Sequence, residues 1–155
     1  MNWSYIAGFI DGDGNIGLMK RKNVKRIEPY VKLISSNKEA LQKMSEYIGH
    51  GKVMINNKGG TSKPHWSTTH VIILHSREYI KKVLTNCMPD FIIKKHQAEL
   101  MLDFIKIREG KTRKGLSRTG STFGLEEYEI YCKMFYINIR RGIYRQYPQP
   151  WVHTG

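Results

Sequence analysis

The sequence is short of acids. Only 13 aspartates and glutamates stand against 26 lysines and arginines, so the formal charge is 26 − 13 = +13 with the six histidines neutral. A surface so basic repels cationic partners and attracts polyanions, among them DNA, RNA and anionic membranes. Long apolar runs are also missing. No stretch approaches the roughly 20 residues that span a bilayer, and no charged-then-apolar segment opens the chain, so no membrane partner and an intracellular, soluble protein are expected. Cysteine is scarce: Cys87 and Cys132 stand far apart, which argues against a disulfide framework and for two buried thiols in a reducing compartment. Neither they nor the histidines, His70 and His75 included, show zinc spacing. Internal repeats are absent too.

What is present suffices for one core. At 155 residues, 40% of them hydrophobic, a single domain over residues 1–155 is expected. Helical spacing is clearest in three places. Ser36-Asn37-Lys38-Glu39 reads as a capping box, Leu41, Met44 and Ile48 follow at helical intervals, and Gly49 stands where a C-terminal cap belongs. A second helix reads from about Pro89 to Gly110, with Ile93, Ala98, Met101, Leu102 and Ile105 on its inner side. A third reads from Leu125 to Arg141, with Tyr128, Tyr131, Cys132, Phe135 and Ile139 inward. Ser76 to Leu84 is a further short helix. Strand-like segments run from Ile16 to Lys22, Ile27 to Ser35, Lys52 to Lys58 and Thr69 to His75, paired by turn material around Asn23 and from Asn57 to Pro64. This order predicts an α+β fold with an antiparallel sheet.

Alternation assigns faces to two of the strands. Ile16 and Leu18 oppose Asn15, Gly17, Met19 and Arg21, and Val53 and Ile55 oppose Lys52, Met54, Asn56 and Lys58. One face is expected to pack on helices and the other to be polar and basic. In a chain of this charge, a polar, basic face recurring across strands suggests a sheet laid on nucleic acid, the alternative being a plain solvated surface. The sides of Tyr30-Val31-Lys32-Leu33 and Val71-Ile72-Ile73-Leu74 are ambiguous.

The chemistry is concentrated between Tyr5 and Asn15. As a helix this segment is poor, since Gly8 and Gly12 each cost about 1 kcal/mol relative to alanine and a short isolated helix does not persist in water. Tertiary support is needed. The two glycines at i, i+4 form a stripe where another backbone can approach, and a matching helix from a second copy is the economical candidate. Asp11 and Asp13 fall at the helix C-terminus, where the macrodipole disfavours carboxylates. A divalent cation would reverse that penalty, and the Gly12 carbonyl between them is a further hard oxygen ligand suited to magnesium. The competing reading is a solvated turn leading into the first strand.

Ile6 to Gly14 resembles the LAGLIDADG motif of homing endonucleases. Ala7, Gly8, Ile10, Asp11, Asp13 and Gly14 match by identity, with Ile6, Phe9 and Gly12 at the remaining positions. The resemblance implies an αββαββα core, here about residues 3–108, whose antiparallel sheet forms a saddle over DNA. A C-terminal helical extension, about 120–142, and a tail, 143–155, would follow. It further implies that Asp13 is the catalytic acid that binds the metal, with the Gly12 carbonyl beside it, and that Asp11 is structural. Magnesium is the expected ion, with manganese able to serve and calcium a non-catalytic substitute. The family's active-site lysine falls on Lys94. Its frequent glutamine near the end of the second strand is replaced by Ser35 and Ser36, which leaves the water-organising group unassigned.

One motif per chain supplies one acid, and a duplex break needs two sites. Homodimerisation through a helix carrying Ala7, Gly8, Asp11 and Gly12 would set two copies of Asp13 about a dyad and imply a near-palindromic target. By resemblance, cleavage crosses the minor groove and leaves 3′ overhangs, while the sheets read the flanking major grooves. Arg21, Lys32, Asn56 and Lys58 are the candidate readers. The run from Arg108 to Arg118 reads as a basic loop, and Tyr144, Tyr147 and Trp151 as an arm packed on the body.

Rival motifs fail. Asp11 to Asn15 begins like an EF-hand loop, but Ile16 stands at the sixth position and Lys22 at the twelfth. Pro89-Asp90 with Glu109-Gly110-Lys111 loosely matches another nuclease pattern that requires strands, and these residues bracket an apparent helix. Two non-cutting roles within the same fold are the alternatives: an RNA maturase acting on its own intron RNA, and a cleavage-inactive DNA-binding protein.

Overall fold

The computed structural model describes residues 1–21, 26–57, 67–112 and 123–138. Helix α1 (Trp3–Asp13) runs directly into β1 (Gly14–Lys20), which is followed by β2 (Ile27–Ser35) and α2 (Lys38–Ile48). Then come β3 (Met54–Asn57), β4 (Thr69–Leu74), α3 (Arg77–Cys87), a 3-10 turn (Met88–Asp90), α4 (Lys95–Thr112) and α5 (Leu125–Asn138). The expected αββαββα order is present, with α4 and α5 added. Among the described residues no helix is long and apolar enough to cross a membrane.

All strand pairs are antiparallel, in the order β1-β2-β4-β3. Strict alternation in β2 buries Ile27, Val31 and Leu33 and leaves Glu28, Tyr30, Lys32 and Ile34 half-buried on the other side. Residues paired across strands share a face. The register Leu33 to Ile72 and Val31 to Leu74 therefore sends both β4 residues into the core, which settles the two strands whose sides were ambiguous. Ile6, Ile10, Leu41, Met44, Ile80, Leu84, Met101 and Phe104 complete that core from the helices. Cys87 is buried in it; burial, with the charges of Asp90 and Asp11, pushes its thiol up to about 12.

Several boundaries and faces differ from the sequence reading, each for a local reason. The cap of α2 is Asn37 rather than Ser36, because its side-chain oxygen accepts the Ala40 N–H at 3.0 Å, while Gly49 takes the left-handed conformation expected of it (φ 81°). The helix read from Pro89 starts only at Lys95, and Ile93 lies on the surface. Strand β3 is an edge with a register shift between Ile55 and Asn57, so Ile55 is 54% exposed instead of packed inward. Helix α5 buries Glu127, Ile130, Tyr131 and Met134, a stripe rotated from the aromatic one that was expected. The cause is electrostatic: Glu127, fully buried, receives Arg108 and Lys111 from α4. Those two residues are thus helical and engaged, not part of a basic loop. The remainder of that loop from residue 113, Ile139, and the tail with Tyr144, Tyr147 and Trp151 lie outside the described residues.

Candidate metal and nucleic-acid site

Asn2 starts α1 by accepting the Tyr5 N–H at 2.8 Å. Ile6, Ala7 and Ile10 then anchor the helix, each fully buried, which supplies the tertiary support its glycines require. Gly14 stops it. Its N–H returns to the Ile10 carbonyl, and a Cβ at this position would stand 2.6 Å from Ile10 Cα and 2.9 Å from Ile10 O. Only glycine permits that close passage from helix to strand. In consequence Asp13 is the last helical residue, and it and Gly12 are exposed where helix meets sheet.

Asp11 points elsewhere. Its carboxylate accepts the backbone N–H groups of Ile92 (2.7 Å), Ile93 (3.2 Å) and Lys94 (2.9 Å), fastening the segment that enters α4. Burial alone would raise this carboxyl, but the three N–H donors and the Lys94 charge outweigh it and hold the group below its ordinary value. The structural role expected of Asp11 therefore has a definite form. Lys94 answers from the other side: its ammonium donates to the carbonyls of Ile10 (2.7 Å) and Asp11 (2.6 Å), at the negative end of α1. Burial lowers its pKa, against the opposing pull of Asp11 and Asp13. A cation that offsets the helix dipole is thus built into the chain, beside Asp13.

The residues expected at an interface between copies divide. Ala7 is wholly buried inside this chain, in the core cluster with Ile6 and Ile10. Gly8 and Gly12 are open, and a Cβ on either would meet nothing within 4 Å.

On the sheet face opposite the core, Asn15 pairs with Lys32 and Gly17 with Tyr30. The Tyr30 ring lies over Gly17, where a Cβ would meet its hydroxyl and stand 2.5 Å from Cζ. This face is not purely polar. Val71, cross-strand from Ile34 and Met54, is only 3% exposed there, apart from the main core. Arg21 is exposed but bonded to Glu28 at 2.9 Å, Asn56 donates to Thr69 Oγ1 at 3.2 Å, and Lys32 is half-buried. Lys58 lies outside the described residues. Ser35, at the position where the resemblance leaves the water-organising group unassigned, uses its hydroxyl to accept the Asn37 N–H at 3.0 Å in the turn to α2.

As metal ligands, the Asp13 carboxylate and Gly12 carbonyl fit a hard cation in kind. They fall short in number, since among the described residues no three acid, histidine or cysteine side chains converge to hold a metal. The clasp through Ile92–Lys94 escaped sequence reasoning, its partners being separated by 81 to 83 positions with only backbone donors on one side.

A family profile described as LAGLIDADG endonuclease matches residues 6–89, more than half of the chain. The chain belongs to the LAGLIDADG endonuclease family. Helix α1 is its LAGLIDADG helix. Among solved structures, the chain is similar to the archaeal intron-encoded homing endonuclease I-Vdi141I complexed with DNA, at 20% identity, covering 94% of this chain and 88% of that one with a TM-score of 0.65. It is also similar to the homing endonuclease I-CvuI in complex with a DNA target (18%, 86% and 94%, TM-score 0.56). The LAGLIDADG meganuclease I-AabMI bound to uncleaved DNA is matched at 15% identity over 86% of this chain but 43% of that one, with a TM-score of 0.62. These likenesses establish the fold. No curated protein sequence matches the chain.

Proposed function

We propose that the chain is a divalent-metal-dependent homing endonuclease that hydrolyses both strands of a long, near-palindromic double-stranded DNA site as a homodimer, leaving 3′ overhangs. The observation that carries this reading is the exposed Asp13 carboxylate at the end of the LAGLIDADG helix, beside the Lys94 ammonium and the open Gly8–Gly12 surface. One chain provides one such acid. Two chains facing each other through α1 would bring two copies of Asp13 to the dyad, matching the two strands of a duplex and completing the ligand set that one chain leaves short. The match to less than half of I-AabMI supports the same count, since two copies of this chain approach the length of that one.

The donor set suits magnesium, with manganese as a working replacement and calcium as a binding but non-cutting one. When bound, the metal supplies positive charge to the non-bridging phosphate oxygens and lowers the pKa of the attacking water. Asp13 and the Gly12 carbonyl would hold it. Lys94 keeps its ammonium at the helix end, where it offsets negative charge that develops on the phosphate. The sheet face bearing Lys32, Tyr30 and Asn15, with Arg21 and Asn56 at its margins, orients the duplex, and the net charge of +13 draws it in. Ile34 and Met54, which flank buried Val71 on that face, suit contact with thymine methyl groups.

Selection of cleaved sites from a randomised duplex library tests the reading. Magnesium should yield breaks at a rare site with dyad symmetry, and calcium should yield binding without breaks. Tight, specific binding of an intron RNA with no duplex cleavage would replace it with a splicing role.

A further inference from the structure

Ile92 and Ile93 are 88% and 69% exposed, and Ile92 is the most exposed large hydrophobic residue among those described. A surface isoleucine held rigidly out of the core needs a reason. These two are held rigidly: both backbone N–H groups donate to the Asp11 carboxylate. Two positions earlier, Asp90 Oδ2 accepts the Ser4 hydroxyl at 2.9 Å, so the segment from Asp90 to Lys94 advances alongside α1 from the turn of Ser4 to that of Asp11. Ser4, Gly8 and Asp11 lie on one side of the helix by their i, i+4, i+7 spacing. Ile92 and Ile93 therefore form an apolar ledge bordering the open Gly8–Gly12 surface, with Tyr5, 50% exposed, on the same exposed side of the helix.

We infer that this ledge is a contact between two copies of the chain: a second copy seated against Gly8 and Gly12 covers Ile92 and Ile93. The inference rests on the homodimer reading above and goes beyond it by naming the side chains that supply the apolar anchorage. Two glycines admit a close backbone approach but bring almost no side-chain area, and the isoleucines bring it. A second copy is favoured over another occupant by position, because the ledge is fastened to the helix end that carries Asp13, whose ligand set one chain leaves incomplete. Nucleic acid is disfavoured, since a duplex is drawn to the basic sheet face and its phosphates gain nothing from two isoleucines. Association is also linked to the site, for the segment that presents the ledge ends at Lys94.

Sedimentation equilibrium of the full chain, with and without duplex DNA, reads the proposal. Wild type is expected as a dimer of the 18.1 kDa chain. The Ile92→Ser/Ile93→Ser variant should raise the dimer dissociation constant at least about tenfold, as loss of buried apolar anchors does. Leu125→Ser, which removes a hydrophobe 71% exposed on α5, should leave the constant unchanged. Far-UV circular dichroism reports folding, and if the double variant is unfolded the single Ile92→Ser, at the more exposed position, is read in its place. A dimeric wild type with an unchanged constant in the variants overturns the ledge and leaves the homodimer standing. A monomeric wild type in both conditions overturns both.

Discussion

Lys94 and Asp11 hold each other twice. The backbone N–H of Lys94 donates to the Asp11 carboxylate at 2.9 Å, and the Lys94 ammonium returns to the Asp11 carbonyl at 2.6 Å. The pair ties the C-terminus of α1 to the N-terminus of α4, and so the helix that carries Asp13 to the lysine beside it. A polar clasp of this kind gives the site its geometry before any ligand arrives.

Breaking the clasp at Asp11 should cost stability. Asp11→Ala removes the acceptor of three N–H groups, and a loss of about 1–2 kcal/mol is expected in urea denaturation at neutral pH. The pH dependence has a definite sign. Because the folded carboxyl lies below its ordinary 3.8, its contribution is fully present above that value and is lost as the pH falls through the lower folded one. The stability gap between wild type and Asp11→Asn should accordingly be constant near neutrality and shrink in acid.

Lys94 should set an alkaline limit on cleavage. Burial holds its pKa below the ordinary 10.5, so a rate that needs the ammonium declines before an ordinary lysine would titrate. Lys94→Met is expected to slow single-turnover cleavage by about 10²-fold or more at neutral pH. Lys94→Arg retains a charge that does not titrate, and its pH–rate profile should lose the alkaline limb.

How much of this was legible beforehand depends on distance along the chain. Local signals carried well: the left-handed Gly49 and the motif from Ile6 to Gly14 needed no partner to be read. The register of β2 on β4 decided which sides faced inward, and no single strand contains that fact. Ile93 was misplaced because its spacing from Ala98 and Met101 is helical, while the N–H groups around it are claimed by Asp11 from across the fold. Ala7 is buried within its own chain, a placement the sequence left open because a small residue in a glycine-rich helix suits either a partner or a tightly packed core. The rotation of α5 followed from a buried carboxylate meeting two cations from another helix, a pairing without any sequence period.

At Gly17 the sheet face carries a steric test. Gly17→Ala sets a methyl against the Tyr30 ring and should cost about 1–3 kcal/mol, in the range of overpacking. Tyr30→Leu should recover part of that loss in the double variant. A coupling of zero in the cycle would mean that the ring does not rest on Gly17 in solution.

Glu127 should govern the attachment of α5. Its side chain is fully buried against Arg108, 8% exposed, and Lys111. Glu127→Ala removes the carboxylate on which both cations converge, and about 3–5 kcal/mol of destabilisation is expected by thermal or chemical unfolding. Burial acts to raise this carboxyl, but Lys111 and the Gly124 N–H prevail and hold it below 4.5. Its contribution is thus present above that value and falls away in acid.

If Asp13 is the acid of a two-chain DNA-cutting site, its carboxylate is needed for cutting and not for binding. The most direct measurement compares wild type with Asp13→Asn on a selected duplex in magnesium, scoring binding by gel shift and breaks by denaturing electrophoresis. Binding within a few-fold of wild type with no cleavage of either strand is the predicted result. Cleavage of either strand at an undiminished rate by Asp13→Asn would contradict the account.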